Sequence, residues 1–228
     1  MTETPLKKFK LTVNFLGYWF ISSGLEKGAY SDEMILRDAD GFPFVPGKTL
    51  KGVFREAFRV AGNAGWFDDF DTETPDKSKF RHRLIQTVFG HDGRKEGFSE
   101  DELHTEGLIH FTNAVLPAEV KNEIRSSEEF GDMREFLFTT VQSTAIDNAN
   151  GTARNQSLRT NEVAVPMHLM AELSLDPPHQ VNNGSQISEK TLEAIADLFP
   201  VVSSLITEIG GKRRRGFGRC MWYLGETK

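Results

Sequence analysis

Residues 209–219 read Ile-Gly-Gly-Lys-Arg-Arg-Arg-Gly-Phe-Gly-Arg, "IGGKRRRGFGR". Five cationic side chains and four glycines stand together in a chain whose formal net charge is −6. The arginines offer forked donors that match phosphate geometry, and the glycines free the backbone for close approach. Phe217 adds a face on which a base can stack, worth about 1–3 kcal/mol in single-strand binders. A phosphate-binding loop accounts for all three properties, whereas a solvated turn accounts only for the charge. The place of the loop matters equally, because it joins a helical pattern to a closing strand pattern.

The flanking patterns give the topology. Phe217 to Leu224 predicts a final strand. Upstream, Ser188 is placed to cap a helix carrying Leu192, Ile195, Leu198, Phe199 and Val202, with Pro200 expected to kink or divide it. Before that, Leu169, Ala171, Leu173 and Leu175 share one face of a strand, and "LFTTVQST" predicts another over 137–144. In the first half, Phe9, Leu11, Val13 and Phe15 alternate with polar residues and predict the first strand. A Gly- and Ser-punctuated loop follows, and Pro43 and Pro46 hold off helix formation until Gly47. Leu50, Val53, Phe54, Ala57, Phe58 and Ala61 then take amphipathic helical spacing, while Lys48, Lys51, Arg55 and Arg59 line a second stripe of that helix. Residues 63–106 read as an acidic insertion with a helix around "KFRHRLIQTVFG", and "GLIHF" at 107–111 as a strand. The core order is β-α-β, β-α-β. It predicts an α+β, ferredoxin-like (RRM-like) domain: an antiparallel sheet with two helices on one face.

Composition bounds the function. With 228 residues, 38% apolar content and 18 Phe, the chain can bury a sizeable core. Five of its 27 basic side chains lie between Lys212 and Arg219, leaving 22 elsewhere against 33 acidic ones. That asymmetry marks a local polyanion site on an acidic protein. Cys220 is the only cysteine, so no disulfide framework exists. "MTETPLKKFK" has no apolar core of signal-peptide length, and no stretch approaches the ~18 apolar residues of a membrane span. A cytoplasmic protein without a membrane partner is expected.

Other chemistries fit less well. "GFPFVPGKT" looks like a nucleotide-binding loop, but five residues separate Gly41 from Gly47 where that loop needs four. Pro43 and Pro46 also lack the N–H groups that cradle phosphate. What survives is a helix N-terminus carrying Lys48 and Lys51, which favours an anion. His82, His91, His104 and His110 show no i, i+3 or i+4 metal spacing. No GxSxG elbow marks a hydrolase, and Cys220 falls within a strand pattern.

Four ordered segments carry a family resemblance: "LRDADGFPFVPGKTLKGVFREAFR" at 36–59, "VFG" at 88–90 with "GLIHFTNAVL" at 107–116, "STAIDNANGTARNQSLRTNEVAVP" at 143–166, and the glycine-rich loop itself. Together they resemble the RAMP superfamily of CRISPR RNA-binding proteins, and within it the backbone subunit of type III effector complexes. The resemblance implies one domain over 1–228, with core elements at about 8–62, 107–117 and 167–228. The insertion at 63–106 and a β-hairpin thumb at about 137–166 complete it.

It further implies a subunit that polymerises with copies of itself and with other subunits along the CRISPR RNA. Guide phosphates are expected on Lys212, Arg213, Arg214, Arg215 and Arg219, with Gly210 and Gly211 allowing close approach, Phe217 stacking a base, Lys48, Lys51 and Arg55 adding charge from the first helix, and Arg154 and Arg159 of the thumb contacting the guide. In such subunits an Asp six residues before the Asp-rich turn cuts the paired target RNA with a divalent metal ion. Asp38 opens the turn here, so the role falls on Asp32, with Glu33 beside it as a rival. Mg²⁺ or Mn²⁺ is the implied cofactor. The chemistry is economical, since RNA carries its own 2′-OH nucleophile and a carboxylate can hold a metal ion or accept that proton. Two other readings stay open: a non-catalytic RNA-binding scaffold, and a CRISPR RNA-processing endoribonuclease. The second usually has a catalytic His and a two-domain body, neither of which is apparent here.

Overall fold

The computed structural model describes residues 4–23, 34–71, 75–92, 104–127, 131–144, 147, 151–152, 159–178 and 187–227. The elements in chain order are β1 (Lys7–Phe15), α1 (Gly47–Asn63), α2 (Lys77–Phe89), β2 (Gly90–Asp92), β3 (His104–Glu106), β4 (Ile109–Phe111), α3 (Ala118–Arg125), β5 (Phe138–Ser143), β6 (Arg159–Ala164), β7 (His168–Leu175), α4 (Glu189–Ala196), α5 (Phe199–Ser203) and β8 (Cys220–Glu226). Short 3₁₀ turns lie at Asp68–Phe70, Arg134–Leu137 and Arg213–Arg215.

Four strands form an antiparallel sheet in the order β4-β7-β1-β8. With α1 between β1 and β4, and α4 and α5 between β7 and β8, this is the ferredoxin-like arrangement. Alternation in β1 sets the register: Phe9, Leu11, Val13 and Phe15 are buried, and Val13 stands opposite Leu169 and Trp222. β5 and β6 pair separately as an antiparallel hairpin, Phe138 opposite Ala164, in the place expected for the thumb. β2 and β3 make a small ribbon in the insertion.

Phe54 of α1 is the centre of the helix-sheet core. Its ring lies 5.3 Å from Phe199, 5.6 Å from Phe111, 6.1 Å from Phe89 and 6.3 Å from Trp222. This layer ties α1 to α2, α5, β4 and β8. The predicted helix after Ser188 does divide: Ser188 caps α4 at the Thr191 amide, and Pro200 occupies the first turn of α5, where its missing N–H costs nothing. The last strand starts at Cys220 rather than Phe217, because Gly216 and Gly218 hold positive φ and keep the chain in a turn. α3 was not expected, and it buries no residue.

Candidate nucleic-acid interface

Residues 16–23, just beyond β1, join the three regions that the sequence singles out. The Leu16 amide donates to the Arg219 carbonyl (2.9 Å), while the Gly218 amide donates to Tyr18 O (2.8 Å) and the Gly211 amide to Phe20 O (2.9 Å). Trp19 exchanges both backbone hydrogen bonds with Ala164 at the base of the hairpin, and its indole N–H donates to Val165 O at 3.0 Å. Farther on, the Ser23 amide donates to Met34 O (3.0 Å) and the Leu36 amide to Ile21 O (2.8 Å). These two rungs pair residues 21–23 with residues 34–36, a neck in the described chain on either side of residues 24–33. One short segment thus touches the glycine-rich loop, the thumb stem and both limbs of the loop that bears Asp32.

The glycine-rich loop is folded against this segment. A Cβ on Gly210 would stand 2.3 Å from Phe20 O, and one on Gly218 1.9 Å from Ile209 O, both at positive φ. These two glycines therefore serve close approach to the protein's own backbone. Lys212 adopts φ +58°, the only non-glycine residue with positive φ among the described residues. Its ammonium turns inward, donating to Asn161 Oδ1 of β6 and lying 4.7 Å from the Phe20 ring centroid.

The arginines face outward. Arg213 lies 3.8 Å from Glu208, and Arg215 Nη1 donates to Ser143 Oγ of β5 at 3.3 Å. Arg214 and Arg219 are exposed, with no carboxylate partner among the described residues. Phe217 is half-buried and packs on the core, so its ring is less open than a stacking platform. Arg159 is exposed and stands opposite Ser143 across the thumb ladder, which puts it on the same rung that Arg215 reaches. Arg154, Asp32 and Glu33 lie outside the described residues.

The first helix presents its cations unevenly. Lys48 is exposed and lines a cavity of about 600 Å³ with Ser22, Ser23, Leu36, Phe44 and Thr49, at the neck of the Asp32 loop. Lys51 is half-buried; burial pushes its ammonium below the usual lysine range, Glu106 opposes that shift, and Arg55 adds to it. Arg55 is exposed. The Asp-rich turn is pinned from the other side. Asp38 Oδ1 accepts from the Asp40 and Phe42 amides, at 3.0 and 2.9 Å, and Oδ2 takes Lys121 Nζ at 2.7 Å. Asp38 is fully engaged in holding the turn.

Three participants were invisible to sequence reasoning: Phe20, whose carbonyl and ring receive the loop, and the buried pair Asn161 and Glu162 in β6. Their own residue types give no signal, since a backbone carbonyl is shared by every residue. Cys220 is buried, and burial pushes its thiol up to about 12, which leaves no thiolate nucleophile at neutral pH. Among the described residues no group of three His, Cys, Asp or Glu is placed to hold a metal ion. Among them too, no helix is long and apolar enough to cross a membrane.

A family model for the RAMP superfamily matches residues 12–220. Among solved structures, the chain is similar to one from the cryo-EM structure of the type III-B Cmr-beta bound to cognate target RNA. The TM-score is 0.60 at 12% identity, covering 96% of this chain and 98% of that one. A chain from the apo state of the type III-B Cmr-beta gives 0.57 at 14% identity, with 98% of each covered. At such identities the likeness concerns the fold. No curated protein matches the sequence.

Proposed function

The chain belongs to the RAMP superfamily, and on that premise we propose that it is a CRISPR RNA-binding backbone subunit of a type III-like effector complex which also cuts the paired target RNA. The observation that carries this is the convergence on residues 16–23: the cationic loop and the base of the thumb hairpin both hydrogen-bond to this one short segment, and it leads directly into residues 24–33, which include Asp32. Such a layout lets a guide strand lie along Arg213, Arg214, Arg215 and Arg219, meet the thumb at Arg159, and reach Lys48 at the start of α1. The similar chain seen with cognate target RNA supports the same choice of ligand and of assembly with other subunits.

For the cut, Asp32 is the proposed catalytic residue. The described residues hold no three-carboxylate cage, and Asp38 is committed to Lys121. Mg²⁺ or Mn²⁺ can be held by one carboxylate together with substrate phosphate oxygens, and Asp32 would supply that carboxylate. When bound, that ion supplies charge neutralisation at the phosphate and lowers the pKa of coordinated oxygen. The chain's own part is positioning: cations fix the phosphates, the thumb breaks the helical path of the strand, and the 2′-OH is brought in line with the adjacent phosphorus. As the O2′–P bond forms and the P–O5′ bond breaks, the O2′ proton goes to the Asp32 carboxylate or solvent and the leaving O5′ takes a proton from solvent, giving a 2′,3′-cyclic phosphate and a 5′-hydroxyl end.

The test uses the complex assembled on a guide RNA, with a complementary RNA in Mg²⁺ or Mn²⁺. Cleavage at regular intervals is expected, with loss of at least about a hundredfold in Asp32→Ala and unchanged guide binding. Unchanged cutting by Asp32→Ala overturns the assignment of Asp32. A wild type that binds but never cuts leaves the non-catalytic scaffold, and a nucleic-acid-free chain indifferent to RNA at low salt overturns the whole reading.

A further inference from the structure

β6 buries polar side chains on both of its faces. Asn161 is 1% exposed and Glu162 8%, and successive strand residues point oppositely. On one face Asn161 takes the Lys212 ammonium of the glycine-rich loop. On the other, Glu162 Oε1 takes Arg37 Nη2 at 2.9 Å. Arg37 belongs to the limb that returns from residues 24–33, one residue beyond the Ile21–Leu36 rung. Its guanidinium carbon lies over the Phe138 ring of β5, 3.5 Å from the centroid, and Nη1 reaches Glu135 at 3.6 Å.

Two features mark these contacts as more than packing. Arg37 Nε and Glu162 Oε2 are buried with no hydrogen-bond partner among the described residues, so the pair as described is poorly optimised for stability. A buried ion pair contributes little net stability even when complete, and its attested use is to fix register. Only an arginine supplies a plane for Phe138 and two separate donors for two carboxylates. Lys212, for its part, holds a left-handed backbone that an L-residue adopts at a cost, and strain of this kind gathers at functional sites.

We infer that Asn161 and Glu162 are positioning residues, which through Lys212 and Arg37 hold the glycine-rich loop and the limb returning from residues 24–33 in one register against the thumb. This rests on the reading of the chain as an RNA-binding subunit. It deepens that reading by dividing the basic loop: Lys212 anchors the loop, and the four arginines meet the phosphates.

Amide hydrogen exchange on the purified chain tests the positioning without RNA. Glu162→Gln keeps shape and removes charge; it is expected to speed exchange at the Ser23 and Leu36 amides by at least about tenfold while Gly211 keeps its rate. Asn161→Leu is expected to do the reverse, speeding Gly211 and sparing Ser23 and Leu36, with the Val13 amide of β1 unaffected in both. A uniform rise across all four amides, or no change in either variant, overturns the inference.

A second arm uses a single-stranded RNA oligonucleotide. Arg214→Ala lowers the slope of log affinity against log salt by about 0.7, whereas Lys212→Met leaves the slope at its wild-type value. An equal loss in Lys212→Met shows a phosphate contact and overturns the anchoring role. A wild type without salt-dependent RNA binding instead breaks the functional reading alone, and the exchange pattern still decides the positioning.

Discussion

The ammonium of Lys121 stands 2.7 Å from Oδ2 of Asp38, and this contact fastens α3 to the turn that follows the Asp32 loop. Desolvation is the largest influence on the Asp38 carboxyl and raises its pKa, but Lys121 together with the Phe42 and Asp40 amides outweighs it, and the group titrates below the usual carboxylate range. A depressed folded pKa means stability that is fully present above the unfolded value of about 3.9 and lost as pH falls through the folded value. Asp38→Asn is therefore expected to be less stable than wild type at pH 7, with the gap closing below about pH 4. Asp38→Ala, which also removes both amide bonds, is expected to cost about 2 kcal/mol at neutral pH. Urea unfolding at pH 7 and pH 3.5 checks both.

Phe54 offers the sharpest test of the core. Its ring meets four aromatic rings of four other elements within 6.3 Å. Phe54→Ala leaves a cavity that such interlocked rings cannot collapse into, at about 3–5 kcal/mol. A loss below about 1 kcal/mol, read by chemical denaturation, contradicts the packing described.

Two glycines of one loop separate conformational strain from contact. Gly216 and Gly218 have nearly equal φ, 82° and 80°. A Cβ at 216 meets nothing within 4 Å, whereas one at 218 stands 1.9 Å from Ile209 O. Gly216→Ala is expected to cost about 1–2 kcal/mol, the left-handed penalty alone. Gly218→Ala should cost clearly more and break the Ile209 N–H to Gly218 carbonyl bond, visible as faster exchange of the Ile209 amide. Equal losses contradict the packing of the loop on its own stem.

How much of this could be read in advance depended on what each feature advertises. Period-two burial exposed β1, helical spacing with Phe54 exposed α1, and Pro200 announced the division after Ala196. α3 is eight residues long and shows only Val120 and Ile124 at helical spacing, with no fully buried residue, a stripe too short to stand out in the sequence. The charge and glycines of 209–219 marked the loop, but not that Gly210, Gly218 and Lys212 face inward. That follows from the carbonyls of Phe20 and Ile209 and from a buried amide on β6, none of which has a sequence pattern. The resemblance supplied the thumb and the role of Asp32, which no spacing in "SSGLEKGAYSDEM" supplies by itself.

Arg213 lies 3.8 Å from Glu208, with both side chains about half exposed. A pair this exposed is worth at most about 1 kcal/mol, but Glu208 places an anion beside a loop that is proposed to receive phosphates. RNA must therefore compete with it for the guanidinium. Glu208→Ala removes the competitor while leaving the Ile209, Gly210 and Gly218 contacts untouched. Affinity for single-stranded RNA is expected to rise about two- to fivefold at low salt, and the gain should vanish as salt screens both attractions. Fluorescence anisotropy of a labelled oligonucleotide across a salt series measures this. An affinity that falls, or stays constant at low salt, means that Arg213 does not face the RNA and that the strand runs over Arg214, Arg215 and Arg219 alone.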